Sequence, residues 1–172
     1  WGQRLAQSLR RHWKSHLGTV FMAWAAIVAV DIWRTSDLPQ GPAPDAPLHI
    51  VQIGSTGQTT TIAQWRAQHP GRAVALHFWA DWCSICKLEE PAVGRVAADW
   101  PLLGVAMQSG DAVKVQRTQQ QRQLAWPTAV DSNAELSRTW GIKAVPGLVV
   151  IDADGRIRFA TSGYTSGWGM RL

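Results

Sequence analysis

The most informative segment of the chain is Trp79-Ala80-Asp81-Trp82-Cys83-Ser84-Ile85-Cys86-Lys87. It holds the only two cysteines of the 172-residue chain. It also continues an apolar run from Ala73 to Trp79, which is typical of a buried strand. A helix that begins at Cys83 would place Cys86 on the same face, about 5 to 6 Å away, which is the separation that a disulfide requires. The spacing therefore predicts a redox-active dithiol at the start of a helix.

The two cysteines are predicted to have different roles. At a helix N-terminus, Cys83 would lie among unpaired backbone N–H groups at the positive end of the helix dipole, which favours the thiolate. Cys83 is therefore the predicted attacking sulfur, and Cys86, one turn further along, is the predicted resolving thiol. Ser84 and Ile85 bring no charge to the pair. Pro91 is predicted to kink the helix that follows.

The string FWADWCSICKLEEP resembles the active-site segment of thioredoxin-fold oxidoreductases, including a proline five residues after the second cysteine. The run from Cys86 to Pro91, with Glu89 three residues after Cys86, most resembles the membrane-tethered, extracytoplasmic branch. That branch includes the TlpA-like cytochrome c maturation thioredoxins and the suppressor-of-copper-sensitivity D proteins. Residues 161–170 resemble the tail of the latter. The resemblance implies a thioredoxin-like α/β fold, with a central mixed sheet flanked by helices, an N-terminal hairpin and a single N-terminal transmembrane helix.

The resemblance also implies a second half of the site. Pro146 would be the cis-proline that packs opposite the cysteines, and the backbone of Val145 would pair with an extended substrate as an added strand. The alternative is a proline that only begins a strand. His77 stands where cytosolic thioredoxins carry a buried aspartate. It could take the proton from Cys86 during resolution, or it could be a hydrogen-bonded core residue.

The remaining candidate side chains surround the dithiol. Glu89 matches the glutamate of the tethered branch, where it resembles an acid–base group; a solvated helix carboxylate is the alternative. Glu90 is predicted to lie on the surface. Trp79 and Trp82 are expected to frame the dithiol, with at least one of them packed in the core.

The N-terminal third predicts a membrane anchor and a linker. Residues 17–34 contain an uncharged apolar run from Leu17 to Val30, and at about 1.5 Å per residue this segment barely spans a bilayer. Four basic residues precede it and only Arg34 lies close behind it, so residues 1–16 are predicted to be cytoplasmic and the remainder extracytoplasmic. A cleaved signal peptide is the alternative. Residues 35–47 hold four prolines and are predicted to form a linker without helix or strand ladder.

Residues 48–172 are predicted to form the thioredoxin-like domain, because strand and helix patterns alternate along them. The glutamines at 116, 119, 120, 121 and 123 are predicted to be the solvated face of a helix. The turn Asp152-Ala153-Asp154-Gly155 could begin a calcium loop, but the later ligands are missing, so a turn is predicted.

The expected function is thiol–disulfide exchange by an extracytoplasmic protein disulfide reductase. The catalytic domain would lie in the periplasm, tethered to the inner membrane. Expected partners are extracytoplasmic proteins with disulfides, apocytochrome c among them, and a membrane electron-donor thiol protein. The formal charge of +5 is concentrated near the N-terminus, which indicates topology rather than nucleic-acid binding. No cofactor or metal is expected, and a role in copper tolerance rests on the resemblance.

Two other classes of function stay open. Cys83 and Cys86 could bind Cu(I) or Zn(II), although zinc requires four ligands and no second CxxC or nearby histidine pair is present. The domain could also be a non-enzymatic adaptor. The two residues between the cysteines do not fix whether substrates are reduced or oxidised.

Overall fold

The computed structural model describes residues 17–30, 39–55 and 57–163, and the chain divides into two compact units, Trp1–Asp37 and Leu38–Leu172. In the first unit, residues 17–30 form helix α1. Its large apolar side chains are exposed: Leu17, Val20, Phe21, Met22, Trp24, Ile27 and Val30. Among the described helices, none combines the length and apolarity needed to cross a bilayer. Residues 1–16 and 31–38, which include parts of the predicted cytoplasmic segment, anchor and linker, lie outside the described residues.

The second unit is built on one eight-stranded mixed sheet. Its strands are β1 (Gly41–Pro42), β2 (Pro47–Val51), β3 (Gln58–Thr61), β4 (Val74–Trp79), β5 (Leu102–Met107), β6 (Thr128–Asp131), β7 (Gly147–Ile151) and β8 (Arg156–Ser162). Its helices are α2 (Ile62–Ala67), α3 (Ser84–Asp99), α4 (Ala112–Arg122) and α5 (Glu135–Thr139). The strand order is β1-β8-β7-β4-β5-β6-β2-β3. Strands β4, β5 and β6 are parallel, and the other pairs are antiparallel. The predicted mixed α/β sheet is confirmed.

Strand β4 ends four residues before Cys83, and its side chains contribute to the apolar clusters on both faces of the sheet. Every residue of β4 is buried, because neighbouring strands flank it and both faces of the sheet are covered. Leu76 and Phe78 pack in one apolar cluster, whereas Ala75 and Trp79 pack in the other, together with Cys86. Since successive side chains of a strand point to opposite faces, His77 shares the face of Ala75 and Trp79. This face lies under α3, whose Cys86, Val93 and Val96 belong to the same cluster.

The prediction that residues 35–47 form no ladder is wrong for part of that segment. Gly41 and Pro42 pair with Ile157 and Arg156 of β8, and the Ala43 N–H donates to Gly155 O at 2.8 Å. β1 is the outermost strand, and an edge position tolerates proline because one side of the strand needs no ladder donor. Pro47, at the end of the predicted linker, begins β2.

The prediction that all the glutamines of α4 are solvated is wrong for Gln119. This side chain is fully buried, and its Nε2 donates to Trp126 O at 2.9 Å and to Thr128 Oγ1 at 3.0 Å. Gln116 is half-buried, and its Nε2 donates at 2.9 Å to the carbonyls of Gln52 and Ser55. The side-chain amides of Gln116 and Gln119 therefore connect α4 to the β2–β3 hairpin and to β6, in addition to apolar packing.

The segment Asp152–Gly155 is the turn that the sequence predicts. The Gly155 N–H donates to Asp152 O at 3.1 Å, and Gly155 has a φ of +83°, which glycine adopts without a steric cost. Asp152 Oδ1 accepts the Arg156 N–H at 2.8 Å, and Oδ2 accepts Arg158 Nε at 2.7 Å. The backbone bond from Arg156, assisted by the Arg158 guanidinium, holds the pKa of Asp152 below its usual value.

Candidate active site

The two cysteines lie at the N-terminus of α3, as predicted. Cys83 is the N-cap residue, with φ −81° and ψ 107°, and the helix begins at Ser84. Cys83 and Cys86 form a disulfide with a Cα–Cα distance of 5.3 Å. Both cysteines are shielded, but unequally, because Cys83 is 7% exposed and Cys86 is 1% exposed. Cys83 is therefore the more exposed of the two.

The backbone of α3 is already arranged to stabilise negative charge on Cys83. The Cys86 N–H donates to Cys83 Sγ at 3.1 Å, so the side chain of Cys83 caps one of the first free amides of the helix. In the reduced protein the same amide and the helix dipole favour a thiolate at this position.

The loop before β7 lies directly against Cys83. Cys83 Sγ is 3.8 Å from Val145 O, and the Val145–Pro146 peptide bond is cis. The Gly163 N–H donates to Pro146 O at 2.7 Å, so the end of β8 lies beside the same loop. Residues 164–170 of the tail, on which part of the resemblance rests, lie outside the described residues.

His77 and Glu89 meet beneath the dithiol. His77 Nε2 is 3.5 Å from Glu89 Oε2, and both residues are buried. Glu89 lies one turn after Cys86 on the buried side of α3, so the alternative of a solvated helix carboxylate is wrong. Sequence analysis identified His77 and Glu89 as separate candidates. It could not predict their contact, because His77 lies in β4 and Glu89 lies in α3.

The two tryptophans of the motif differ in burial: Trp79 packs in the core, and Trp82 lies at the surface. Trp79 is 2% exposed and packs in the core cluster that contains Cys86. Trp82 is 59% exposed, and its Nε1 donates to Gln108 O at 3.3 Å. Trp82 thus borders the dithiol at the surface, while Trp79 supports it from below.

Sequence reasoning missed the polar residues that hold residues 80–82 in place. Ser109 Oγ accepts the Asp81 N–H at 3.0 Å, and Lys114 Nζ lies 2.7 Å from Asp81 Oδ2. Arg122 Nη2 donates to Asp81 O at 2.6 Å, and its Nη1 donates to Glu90 Oε1 at 3.1 Å. Glu90, predicted to be a surface carboxylate, is half-buried and paired. No local pattern identifies these residues, because Arg122 and Asp81 are 41 positions apart.

A cavity of about 500 Å³ lies elsewhere on the domain. Its walls include the indoles of Trp65, Trp100 and Trp126 and the side chains of His69 and Arg72. None of the residues predicted for the site lines it.

A dithiol at the N-terminus of a helix, on a mixed sheet and facing a proline loop, defines the class of thioredoxin-like proteins. Residues 39–160 match the sequence profile of the AhpC/TSA family, and the chain belongs to that family. The predicted thioredoxin-like fold is therefore confirmed.

Relatives with thiol chemistry in their names are similar over part of the chain. A "Thioredoxin-like protein" of Haemophilus influenzae is 29% identical over 98 residues, which cover 56% of this chain and 58% of that protein. The "Thiol-disulfide oxidoreductase ResA" of Bacillus thuringiensis is 31% identical over 91 residues, covering 51% of this chain and 53% of that protein. The chain thus spans little more than half the length of these relatives.

Solved structures support the fold. The exposed lipoprotein thioredoxin of Streptococcus pneumoniae superposes with a TM-score of 0.60 at 23% identity, covering 74% of this chain and 96% of that one. StoA of Bacillus subtilis superposes with a TM-score of 0.56 at 22% identity, covering 77% of this chain and 97% of that one. At these identities the likeness establishes the architecture.

Proposed function

We propose that the protein is an extracytoplasmic thiol–disulfide oxidoreductase that reduces disulfides of other proteins through Cys83 and Cys86. One observation carries the proposal: Cys83 Sγ accepts the Cys86 N–H at 3.1 Å and lies 3.8 Å from Val145 O. The sulfur of Cys83 therefore lies between an amide at the start of α3 and the backbone of the loop that contains the cis Val145–Pro146 bond. The names of the relatives, which include thiol-disulfide oxidoreductases, support the same activity.

The first step of the reaction belongs to Cys83. Its thiolate attacks one sulfur of a substrate disulfide, the substrate S–S bond breaks, and a mixed disulfide forms between Cys83 and the substrate. The departing substrate sulfur takes up a proton. An extended substrate could add to the backbone of Val145 as a strand, which would align its disulfide with Cys83 with little dependence on sequence.

The second step belongs to Cys86. This thiol loses its proton and attacks Cys83 Sγ, which releases the second substrate sulfur and leaves the Cys83–Cys86 disulfide. The substrate has gained two electrons, and the protein has lost two. Because Cys86 is 1% exposed, bulk water does not readily take its proton. The buried Glu89 and His77, one turn away and on the same face of the sheet, are the proposed acceptors.

The surface around Cys83 suits unfolded or mispaired polypeptides. Trp82 is 59% exposed, Ile85 is 49% exposed and Leu88 is 73% exposed. Trp82 directly precedes Cys83, and Ile85 and Leu88 lie in the first two turns of α3, so the three side chains form an apolar border at the start of the helix. Apolar segments that a folded substrate would bury are exposed in a mispaired one, and they would contact this border.

The location, partners and branch complete the proposal. The apolar run at residues 17–34 would be a single membrane anchor that holds the domain in the periplasm, at the inner membrane. A membrane thiol protein would then return two electrons to the Cys83–Cys86 disulfide after each turnover. The motif favours the TlpA-like and suppressor-of-copper-sensitivity D branch, so disulfides formed by copper in extracytoplasmic proteins are candidate substrates.

The metal-binding alternative has less support. Among residues 17–30, 39–55 and 57–163, no three His, Cys, Asp or Glu side chains are grouped so that they could hold a metal ion. A two-sulfur site would leave a tetrahedral zinc ion half coordinated.

The redox state of the two cysteines in intact cells tests the proposal. Acid quenching, followed by alkylation with a reagent that adds mass, separates the dithiol from the disulfide on a gel. A mostly reduced pair is expected, because a membrane donor supplies electrons. A Cys83→Ala/Cys86→Ala double variant, which has no thiol to alkylate, shows where the unlabelled protein runs on the gel. A pair that stays oxidised while the candidate substrates keep their disulfides would contradict a reductase.

A further inference from the structure

Arg122 joins three elements around the dithiol. It is the last residue of α4, and its guanidinium donates to Asp81 O at 2.6 Å and to Glu90 Oε1 at 3.1 Å. Asp81 lies in the turn between β4 and α3, two residues before Cys83, whereas Glu90 lies within α3. The Arg122 and Glu90 side chains are only 18% and 19% exposed, so solvent screens their contact less than it screens an ion pair on the open surface.

Other contacts hold the same turn but do not reach α3. Ser109 Oγ accepts the Asp81 N–H at 3.0 Å, and Ser109 is fully buried. Lys114 pairs with the Asp81 carboxylate at 2.7 Å, but its side chain is 55% exposed. Arg122 differs from both, because its second nitrogen fixes the helix that carries the cysteines. A planar guanidinium can hold two acceptors in a fixed relative position, which a lysine ammonium cannot do as rigidly.

We propose that Arg122 is a positioning residue for the Cys83 nucleophile. This inference rests on the proposed function, because it assumes that Cys83 attacks the substrate. By tying the turn at Asp81 to α3 through Glu90, Arg122 fixes the entry of the chain into the helix. The entry determines whether Cys83 Sγ meets the Cys86 N–H. A Cys83 sulfur held against the Cys86 N–H is stabilised as the thiolate, and with it the reduced protein is stabilised.

The test compares two arginines of α4. Arg122→Met keeps much of the stem and removes the guanidinium, whereas Arg117→Met removes an equal charge from an exposed position on the same helix. The equilibrium constant for thiol exchange with glutathione is measured for each, together with the alkylation rate of Cys83 at one pH. Loss of Arg122 should shift the equilibrium toward the protein disulfide by about threefold to tenfold, about 14 to 30 mV for a two-electron couple. The alkylation rate should fall, and Arg117→Met should match the parent protein in both measurements.

A conservative variant guards against a folding defect. Arg122→Lys keeps the charge but should hold only one of the two acceptors, so its equilibrium constant should lie between those of the parent and of Arg122→Met. If Arg122→Met fails to fold, Arg122→Lys carries the test, and its equilibrium constant should be shifted toward the protein disulfide relative to that of Arg117→Met. Folded Arg122 variants that match Arg117→Met in both measurements would overturn the inference. Failure of the parent protein to reduce a disulfide-bonded substrate would contradict the proposed function. That result is distinct from a failure of the Arg122 inference, which is judged only by comparing the Arg122 and Arg117 variants.

Discussion

His77 Nε2 lies 3.5 Å from Glu89 Oε2, and the two side chains are only 2% and 1% exposed. Two ionisable groups on different elements are thus buried against each other on the face of the sheet that also holds Cys86. Burying a carboxylate without a compensating partner costs free energy. The imidazole of His77 is a polar neighbour of this carboxylate, and the proposed function assigns to the two side chains the proton that Cys86 loses.

Glu89→Gln should slow resolution and leave the first step intact. The amide keeps the shape of the side chain but cannot accept a proton, so the loss should be about a hundredfold, within the range for acid–base catalysis. Stopped-flow measurement of mixed-disulfide decay reports the second step, and the alkylation rate of Cys83 reports its availability for the first. Asp99→Asn removes an exposed carboxylate at the end of the same helix and is the control. Equal decay rates in the two variants would remove Glu89 from the proton path.

Gln119→Met should destabilise the domain. The change leaves Trp126 O and Thr128 Oγ1 without the Nε2 that now bonds to both at 2.9 and 3.0 Å. An unsatisfied buried group costs about 1 to 3 kcal/mol, and urea unfolding should show a loss of stability of that size. Gln120→Met, one position along on the exposed side of α4, should change the stability little. A similar loss in both variants would mean that the methionine itself is the cause.

Two glycines should respond oppositely to alanine. A Cβ on Gly104 of β5 would lie 2.7 Å from Thr128 Oγ1 and 3.0 Å from Trp79 Nε1, so Gly104→Ala should cost about 1 to 3 kcal/mol of stability. A Cβ on Gly94 of α3 would have its nearest neighbour, an atom of Trp126, at 3.5 Å. Gly94→Ala should therefore gain up to about 1 kcal/mol through helix propensity. Thermal unfolding of the pair gives both signs, and a stabilised Gly104→Ala would show that β5 has room above the glycine.

The sequence was most informative where a local pattern decides the structure. The spacing of Cys83 and Cys86 located the start of α3, and the apolar run from Ala73 to Trp79 predicted the buried strand β4. Glu89 was identified through the resemblance to the tethered branch, and the sequence alone left open whether this carboxylate is buried.

Contacts between distant polar residues could not be predicted. Gln119 belongs to a run of glutamines that is typical of a solvated helix face, and only the packing of α4 on β6 places one of them inside. Arg122 donates to the backbone carbonyl of Asp81. Every residue has such a carbonyl, so the residue type at position 81 does not reveal this contact. The pairing of Gly41 and Pro42 with β8 has the same origin, because an edge ladder depends on where the neighbouring strand ends and not on the two residues alone.

Trapping of a substrate by single-cysteine variants tests whether Cys83 is the nucleophile and Cys86 the resolving thiol. Reduced Cys86→Ala and Cys83→Ala proteins are mixed with disulfide-bonded insulin, quenched with an alkylating reagent, and separated on a non-reducing gel. Cys86→Ala should accumulate a mixed disulfide that peptide mapping places on Cys83, because the resolving thiol is missing. Cys83→Ala should accumulate little, since Cys86 is 1% exposed. Equal amounts of adduct in the two variants, or more adduct through Cys86, would contradict the assignment of Cys83 as the nucleophile.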